Sequence, residues 1–382
     1  MKLLDRARLK DLVDRRVEAD VEAGRVGGAA VLVTQDGETV YQNFFGATVP
    51  SGNEPITADT VFRLASMTKP ITAVAALIVM ERGLLHLDDP ISKYLPQYAD
   101  MQIATLDENG VPQITGSAKT PITVKHLLCH ASGIGSSDLG TYLAKSMNAH
   151  DRATLASAVD YYADKPLTFE PYSKQSYSAT AAFDVLARII ELVTGEEYGA
   201  FLKKEIFDPC EMKDTTFTPT SEQWARMIAM HDYRDGKACV FPMTKGCVFE
   251  TVPTTHALAG AGLISTLNDY RNFAEMLLNG GEFHGKRIVS AQMIDEMATP
   301  QIDDPMKGGR SLWGLSVRVL TNPQDILPLG TFGWSGAYGT HFWIDRENRI
   351  TAIYLKNSKY DGGSGAKTSY HFEEDVYHSL IQ

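Results

Sequence analysis

The sequence predicts an α/β chain of the α+β type: one antiparallel sheet built from both termini and flanked by helices, with a mostly helical domain inserted. Two observations predict it. Apolar residues alternate with period two near both ends, from Ala29 to Gly46 and again between Leu312 and Leu355. From about 85 to 255 the period is mostly helical, with long irregular stretches. Strands at both ends with helices between them suit one sheet that the middle of the chain leaves and re-enters. The expected boundaries are 1–85 with 256–382 for the sheet domain and 86–255 for the insertion.

Each element has its own local reason. Leu9, Leu12, Val13, Val17 and Val21 recur at spacings of three and four, the stripe of an amphipathic helix, which Gly27-Gly28 stops. Ala29 to Gly46 reads as two strands around Asp36-Gly37, a dipeptide suited to a tight hairpin. Val61 to Leu64 is strand-like and leads into Ser66-Met67-Thr68-Lys69-Pro70. The run that follows to Met80 is apolar on every side, so this helix belongs in the core. Further helices are expected at Thr123 to His130, Ala181 to Thr194, Glu197 to Phe207, Asp269 to Leu278 and from near Ser290. Leu312 to Leu320, His341 to Ile344 and Ile350 to Leu355 alternate as strands. The last two flank a hairpin turn at Asp345 to Asn348, and a final helix is expected near Tyr370 to Leu380.

Composition narrows the partners. With 36 Lys+Arg against 47 Asp+Glu, the 382-residue chain carries a net charge of −11. Phosphates of nucleic acid and of anionic membranes would be repelled, so neither is an expected partner. The four cysteines, Cys129, Cys210, Cys239 and Cys247, form no C-x-x-C pair, which argues for reduced thiols rather than a disulfide scaffold. The N-terminal residues lack the apolar core of a signal peptide, and the run Ile71 to Met80 is too short to cross a bilayer. The expected location is therefore the cytoplasm.

The strongest chemical signal is Ser66-x-x-Lys69 at the mouth of the buried helix. Residues three apart share a helix face. Pro70 lacks an N–H and fits a first turn, which places Ser66 at the helix start, where free N–H groups favour developing negative charge. A serine hydroxyl needs a base to take its proton. Lys69 can serve only when neutral, and burial can lower a lysine by about 3–5 pH units. Without burial the same residues would be a helix cap and a solvated lysine.

Two distant segments sharpen this picture. One is Phe169-Glu-Pro, followed after five residues by Tyr177-Ser178-Ala179; the other is Gly333-Trp334-Ser335-Gly336-Ala337-Tyr338-Gly339-Thr340. With Ser66-x-x-Lys69 they resemble, in order, the three active-site elements of the serine β-lactamase and penicillin-binding-protein superfamily. Val61-Phe-Arg-Leu-Ala-Ser-Met-Thr-Lys-Pro, Leu87-Asp-Asp-Pro-Ile-Ser-Lys-Tyr-Leu-Pro, Ile122-Thr-Val-Lys-His-Leu-Leu-Cys-His-Ala-Ser-Gly and Ala261-Gly-Leu-Ile-Ser-Thr are similar to its class C branch. The resemblance runs from about 25 to 355 and implies a β-lactamase/DD-peptidase-like fold. It implies Ser66 as the acylated nucleophile, Lys69 as proton acceptor or its electrostatic partner, and Tyr177 as the phenol that passes the proton to the leaving group. The backbone amides of Ser66 and Ala337 would form the oxyanion hole, and Trp334, Ser335, Gly336 and Tyr338 would contact substrate. A phenol beside an ammonium should have its ionised form stabilised, so Lys69 and Tyr177 are expected to titrate as a pair, with the base unassigned.

Two departures redirect the expected substrate. Ala179 stands where class C β-lactamases usually carry asparagine, and Trp334 where they carry the lysine that pairs with a carboxylate. Charge-assisted contacts are the strong ones, so preference for carboxylate substrates should fall. Both departures resemble the family VIII carboxylesterases. The expected function is a serine hydrolase of small or short-acyl esters, with a small-molecule ester as partner, no cofactor and no metal, and the oligomeric state open. The alternatives are a β-lactamase or D-Ala-D-Ala-type peptidase, an acyltransferase, and a ligand-binding protein that keeps only the fold.

Other patterns point less far. Gly333-x-Ser335-x-Ala337 nearly matches a nucleophile elbow, but that elbow needs a strand-to-helix turn and strand-like residues follow here. His126 and His130 are four apart on a helix, yet position 127 is Leu, so the glutamate of a zinc protease motif is missing and structural histidines are expected. His256 is isolated, and His341 lines the pocket or the sheet surface. Asp88-Asp89 before Pro90 reads as a turn, and Arg310, Arg318, Trp313 and Tyr338 are candidates for shaping the substrate site.

Overall fold

Seven antiparallel strands form the main sheet, in the spatial order Ser311–Trp313, Arg318–Leu320, Phe332–Ser335, His341–Asp345, Ile350–Leu355, Gly28–Gln35, Glu38–Gly46. This computed structural model describes residues 1–249, 254–302, 309–363 and 365–381. The termini meet where Gly28–Gln35 pairs with Ile350–Leu355, Ala30 opposite Leu355 and Gln35 opposite Ile350. Both faces of Gly28–Gln35 are buried. Successive side chains point to opposite faces. Ala29, Val31 and Val33 pack against Leu9, Val13 and Val17 of the helix Arg6–Glu22 and Phe372 and Val376 of the helix Lys367–His378. Ala30 and Leu32 face the larger core, which the helix Thr68–Glu81 fills. At the hairpin between the first two strands, Asp36 and Gly37 both take positive φ, 51° and 81°, as a two-residue turn of that hand requires.

Local differences from the sequence reading have physical causes. The segment 312–320 is two strands, because Ser316 turns into the left-handed region (φ 72°) and the Gly314 N–H bonds back to the Val317 carbonyl. Glu197 to Phe207 divides into an α-helix, Tyr198–Leu202, and one π turn, Lys203–Phe207. Between 86 and 255 the helices include Val124–Leu128, Ser137–Ser146, Leu155–Ala163 and Ala181–Thr194, but two hairpins also occur. Gln102–Leu106 pairs with Pro112–Ser117, and His231–Arg234 with Lys237–Val240. Pro112–Ser117 is exposed along most of its length, so it carries no apolar alternation to announce it. Among the described residues no helix is long and apolar enough to cross a membrane.

Candidate active site

The strand Phe62–Arg63, pinned to Ile264–Ser265, delivers the chain to a tight turn at Ala65–Met67. Ala65 sits in the left-handed region at φ 48°, a conformation that costs a non-glycine residue energy. The turn is held from the third sequence element: Thr340 Oγ1 donates to the Leu64 carbonyl at 2.9 Å, and Gly336 packs directly on that carbonyl. A Cβ at Gly336 would collide with the Leu64 carbonyl and Thr340 Oγ1. Gly336→Ala is therefore expected to destabilise the fold by about 2 kcal/mol or more, read by denaturant unfolding. An unchanged midpoint would show that the turn can yield.

Past this turn Ser66, 7% exposed, opens into a cleft of about 650 Å³. Lys69 is fully buried one helical step behind it, with Nζ 3.2 Å from Ser66 Oγ. Nζ also donates to the backbone carbonyls of Ala179, at 2.5 Å, and Gly260, at 2.8 Å. Burial pulls the Lys69 pKa down to about 7, with the charge of Asp184 pulling the other way. A neutral amine has two N–H groups and one lone pair. The two carbonyls accept the N–H groups, which leaves the lone pair for the Ser66 hydroxyl.

Tyr177 reaches Ser66 from the other side, its hydroxyl 2.6 Å from Ser66 Oγ. Its ring is walled by His130, Trp334 and Trp313, at centroid distances of 4.5, 5.5 and 5.9 Å. Burial pushes the phenol up to about 12, while the Ser66 hydrogen bond draws it part of the way back. This departs from the expectation that an ammonium neighbour stabilises the ionised form of the phenol. Burial disfavours the charged form of each group, so lysine and tyrosine move in opposite directions. At neutral pH the amine can accept a proton and the phenol still holds one.

The remaining sequence candidates divide. Trp334, Ser335 and Ala337 line the same cleft as Ser66 and Tyr177. Neither the Ser66 amide nor the Ala337 amide has a hydrogen-bond acceptor among the described residues. Gly336 acts through its backbone under the turn. Tyr338 is fully buried against Ala65 and Met230 and is not among the described residues that line the cleft, so the expectation that it contacts substrate is corrected. Ala337 and Tyr338 belong to the turn between Phe332–Ser335 and His341–Asp345, not to either strand. Ser335 ends a strand that reverses into His341–Asp345, so the strand-to-helix turn of a nucleophile elbow is absent there. Trp313 and Arg318 line the cleft, with the guanidinium 5.2 Å from the Trp313 ring centre.

His130 and Asp184 are positioning residues that the sequence did not single out for this purpose. The His130 carbonyl accepts from the Ser176 N–H at 2.8 Å, and its Nδ1 accepts from the Ser178 N–H at 3.1 Å. One histidine thus grips the chain on both sides of Tyr177. Its burial and the charges of Lys69 and Arg318 lower its pKa, which keeps it neutral. His126 caps its own helix, its Nδ1 accepting from the Thr123 N–H. Asp184 accepts from the Ala259 N–H at 2.9 Å and faces His256 Nε2 at 3.4 Å. It thereby ties down the segment whose Gly260 carbonyl binds Lys69.

The chain is similar to known proteins over most of its length. Residues 13–373 match the family described as Beta-lactamase. The chain is 31% identical to Protein Rv1367c of Mycobacterium tuberculosis over 356 residues, 87% of this chain and 86% of that protein. It is 27% identical to Esterase EstB of Burkholderia gladioli over 392 residues, 96% of this chain and 94% of EstB. The structure of EstCE1, described as a hydrolase with promiscuous acyltransferase activity, superposes with a TM-score of 0.82 at 24% identity, covering 97% of this chain and 99% of EstCE1. A match of this extent, together with a serine, a lysine and a tyrosine converging on one hydroxyl, identifies the chain as a member of the β-lactamase family.

Proposed function

We propose that this chain is a serine hydrolase of small or short-acyl carboxylic esters, working through an acyl-enzyme on Ser66. The observation that carries the reading is the placement of Ser66 Oγ within 3.2 Å of a lysine near pH-neutral pKa and 2.6 Å of a protonated phenol. Neutral Lys69 takes the Ser66 proton as Oγ bonds to the ester carbonyl carbon. The oxyanion that forms lies between the amides of Ser66 and Ala337, where preorganised donors are worth several kcal/mol. As the C–O bond to the alcohol breaks, the Tyr177 hydroxyl protonates the departing oxygen and regains a proton from the Lys69 ammonium. Water then attacks the acyl-enzyme through the same groups and releases the acid. Trp334, where carboxylate-binding relatives are expected to carry lysine, favours an uncharged ester, and the named esterase relative supports that choice.

The test is a panel of p-nitrophenyl esters beside a chromogenic cephalosporin, with wild type and Ser66→Ala, and intact mass after a fluorophosphonate probe. Short esters should be turned over far faster than the cephalosporin, and the probe should add its mass to wild type only. Faster cephalosporin turnover would make the chain a β-lactamase. No probe adduct on wild type would make it a binder.

A further inference from the structure

Ser335 belongs to a chain of buried polar groups that the ester chemistry above does not use. It faces His341 directly across two antiparallel strands. Ser335 Oγ lies 2.8 Å from His341 Nδ1, and His341 Nε2 lies 3.1 Å from Glu373 Oε1. The other Glu373 oxygen accepts from Arg310 Nη2 at 2.5 Å, and Arg310 is gripped in turn by both oxygens of Asp325, at 2.6 and 3.1 Å. Ser335, His341 and Glu373 are 4%, 9% and 4% exposed, and each also borders the cleft that holds Ser66.

Hydrogen-bond polarity along this chain follows from donor and acceptor counts. The guanidinium has only donors, and an ionised carboxylate has only acceptors. The ring nitrogen facing Glu373 must then carry the imidazole proton. When the imidazole is neutral it has one such proton, and Nδ1 is then an acceptor that takes the Ser335 O–H. The lone pairs of Ser335 Oγ are what remains for the cleft.

We propose that Ser335 is an acceptor-only contact that selects esters bearing a hydroxyl or N–H donor near the scissile group, and that His341 and Glu373 enforce this polarity. It rests on the ester-hydrolase reading and narrows it to hydroxy- or amino-substituted esters. Groups that offer only lone pairs, such as an ether or a carboxylate, would meet oxygen against oxygen at this point. The missing cation at position 334 and the acceptor at 335 then work against a carboxylate substrate together.

The experiment compares p-nitrophenyl 2- and 3-hydroxyacyl esters with their O-methyl ethers, and hydroxyalkyl butyrates with methoxyalkyl butyrates. It is run at pH 8.5, two units above the ordinary imidazole range of about 6.5. The readout is the ratio of kcat/KM, hydroxyl over methoxy, within each variant, so general loss of activity cancels. In wild type the best-placed pair should give a ratio about 3- to 10-fold higher than in Ser335→Ala, the range of one net hydrogen bond. Glu373→Gln should invert the preference. Arg310 can only donate, so the glutamine carbonyl faces it and the amide N–H₂ faces His341. The ring proton then moves to Nδ1, donates to Ser335, and frees the Ser335 O–H to donate into the cleft. Equal ratios in wild type and Ser335→Ala for every pair would overturn the subsite, and an unchanged preference in a folded Glu373→Gln would overturn the polarity relay. Should Glu373→Gln not fold, wild type and Ser335→Ala still decide. If wild type turns over no ester at all, the hydrolase reading fails instead. Binding of the hydroxy and methoxy N-propyl amides, followed by the fluorescence of Trp313 and Trp334, then tests the subsite alone, and equal affinities would reject it.

Discussion

Lys69→Met and Tyr177→Phe are each expected to lower kcat/KM for a short p-nitrophenyl ester by about 10²–10⁴-fold, the range of a general acid or base. Lys69 is the group able to take the Ser66 proton at neutral pH, and Tyr177 the group able to give one to the alcohol. The two serve one proton path through one hydroxyl, so their losses should not add, and the double variant should resemble the poorer single variant. Methionine preserves length but leaves the Ala179 and Gly260 carbonyls without their donor, so unfolding midpoints must be measured beside the rates. Phenylalanine removes only the hydroxyl that lies 2.6 Å from Ser66 Oγ, and the ring contacts with His130 and Trp334 survive. A folded Tyr177→Phe enzyme within tenfold of wild type would take the phenol out of the mechanism. A multiplicative double variant would show that the residues act in separate steps.

The pH dependence should be nearly as large. Only neutral Lys69 accepts a proton, and its pKa lies at about 7. Below that value kcat/KM should fall about tenfold per pH unit, and above it the profile should level. Asp184 raises the Lys69 pKa, so in Asp184→Asn the acidic limb should shift to lower pH. A profile flat from pH 5 to 9 would remove Lys69 as the base, and a limb unmoved in Asp184→Asn would remove Asp184 as its modulator. The same shift has a stability signature. Between about pH 7 and 10.5 the unfolded chain holds a proton on Lys69 that the folded chain does not, so stability should rise with pH across that window. The slope from this residue approaches about 1.4 kcal/mol per pH unit. Lys69→Met should lack that component, which urea unfolding at pH 7.5, 8.5 and 9.5 would reveal.

Short-range pattern determined a large part of this molecule. The alternation at both ends specified the strands that close one sheet, and the apolar run after Pro70 specified a helix buried on all sides. Ser66 and Lys69 could be paired because three residues on a helix set their separation whatever the rest of the chain does. Tertiary structure decided what no local window contains. Lys69 is near neutral because Ala179 and Gly260, 110 and 191 residues away, close over it and exclude water. The same burial, and not a neighbouring ammonium, fixed the direction of the Tyr177 shift. His130, read from its spacing as a structural histidine, grips Tyr177 because its carbonyl and ring meet amides of a segment far along the chain. Tyr338 packs against Ala65 and Met230 from a turn, where no periodic pattern in the sequence tells which way a side chain faces. The chain of charge from Asp325 to Ser335 is likewise invisible in sequence, since it joins strands, a loop and the C-terminal helix through side chains whose meeting depends on the packed sheet. Spacing along a chain fixes which groups share a face; only packing sets the dielectric and the partners that decide whether those groups are charged.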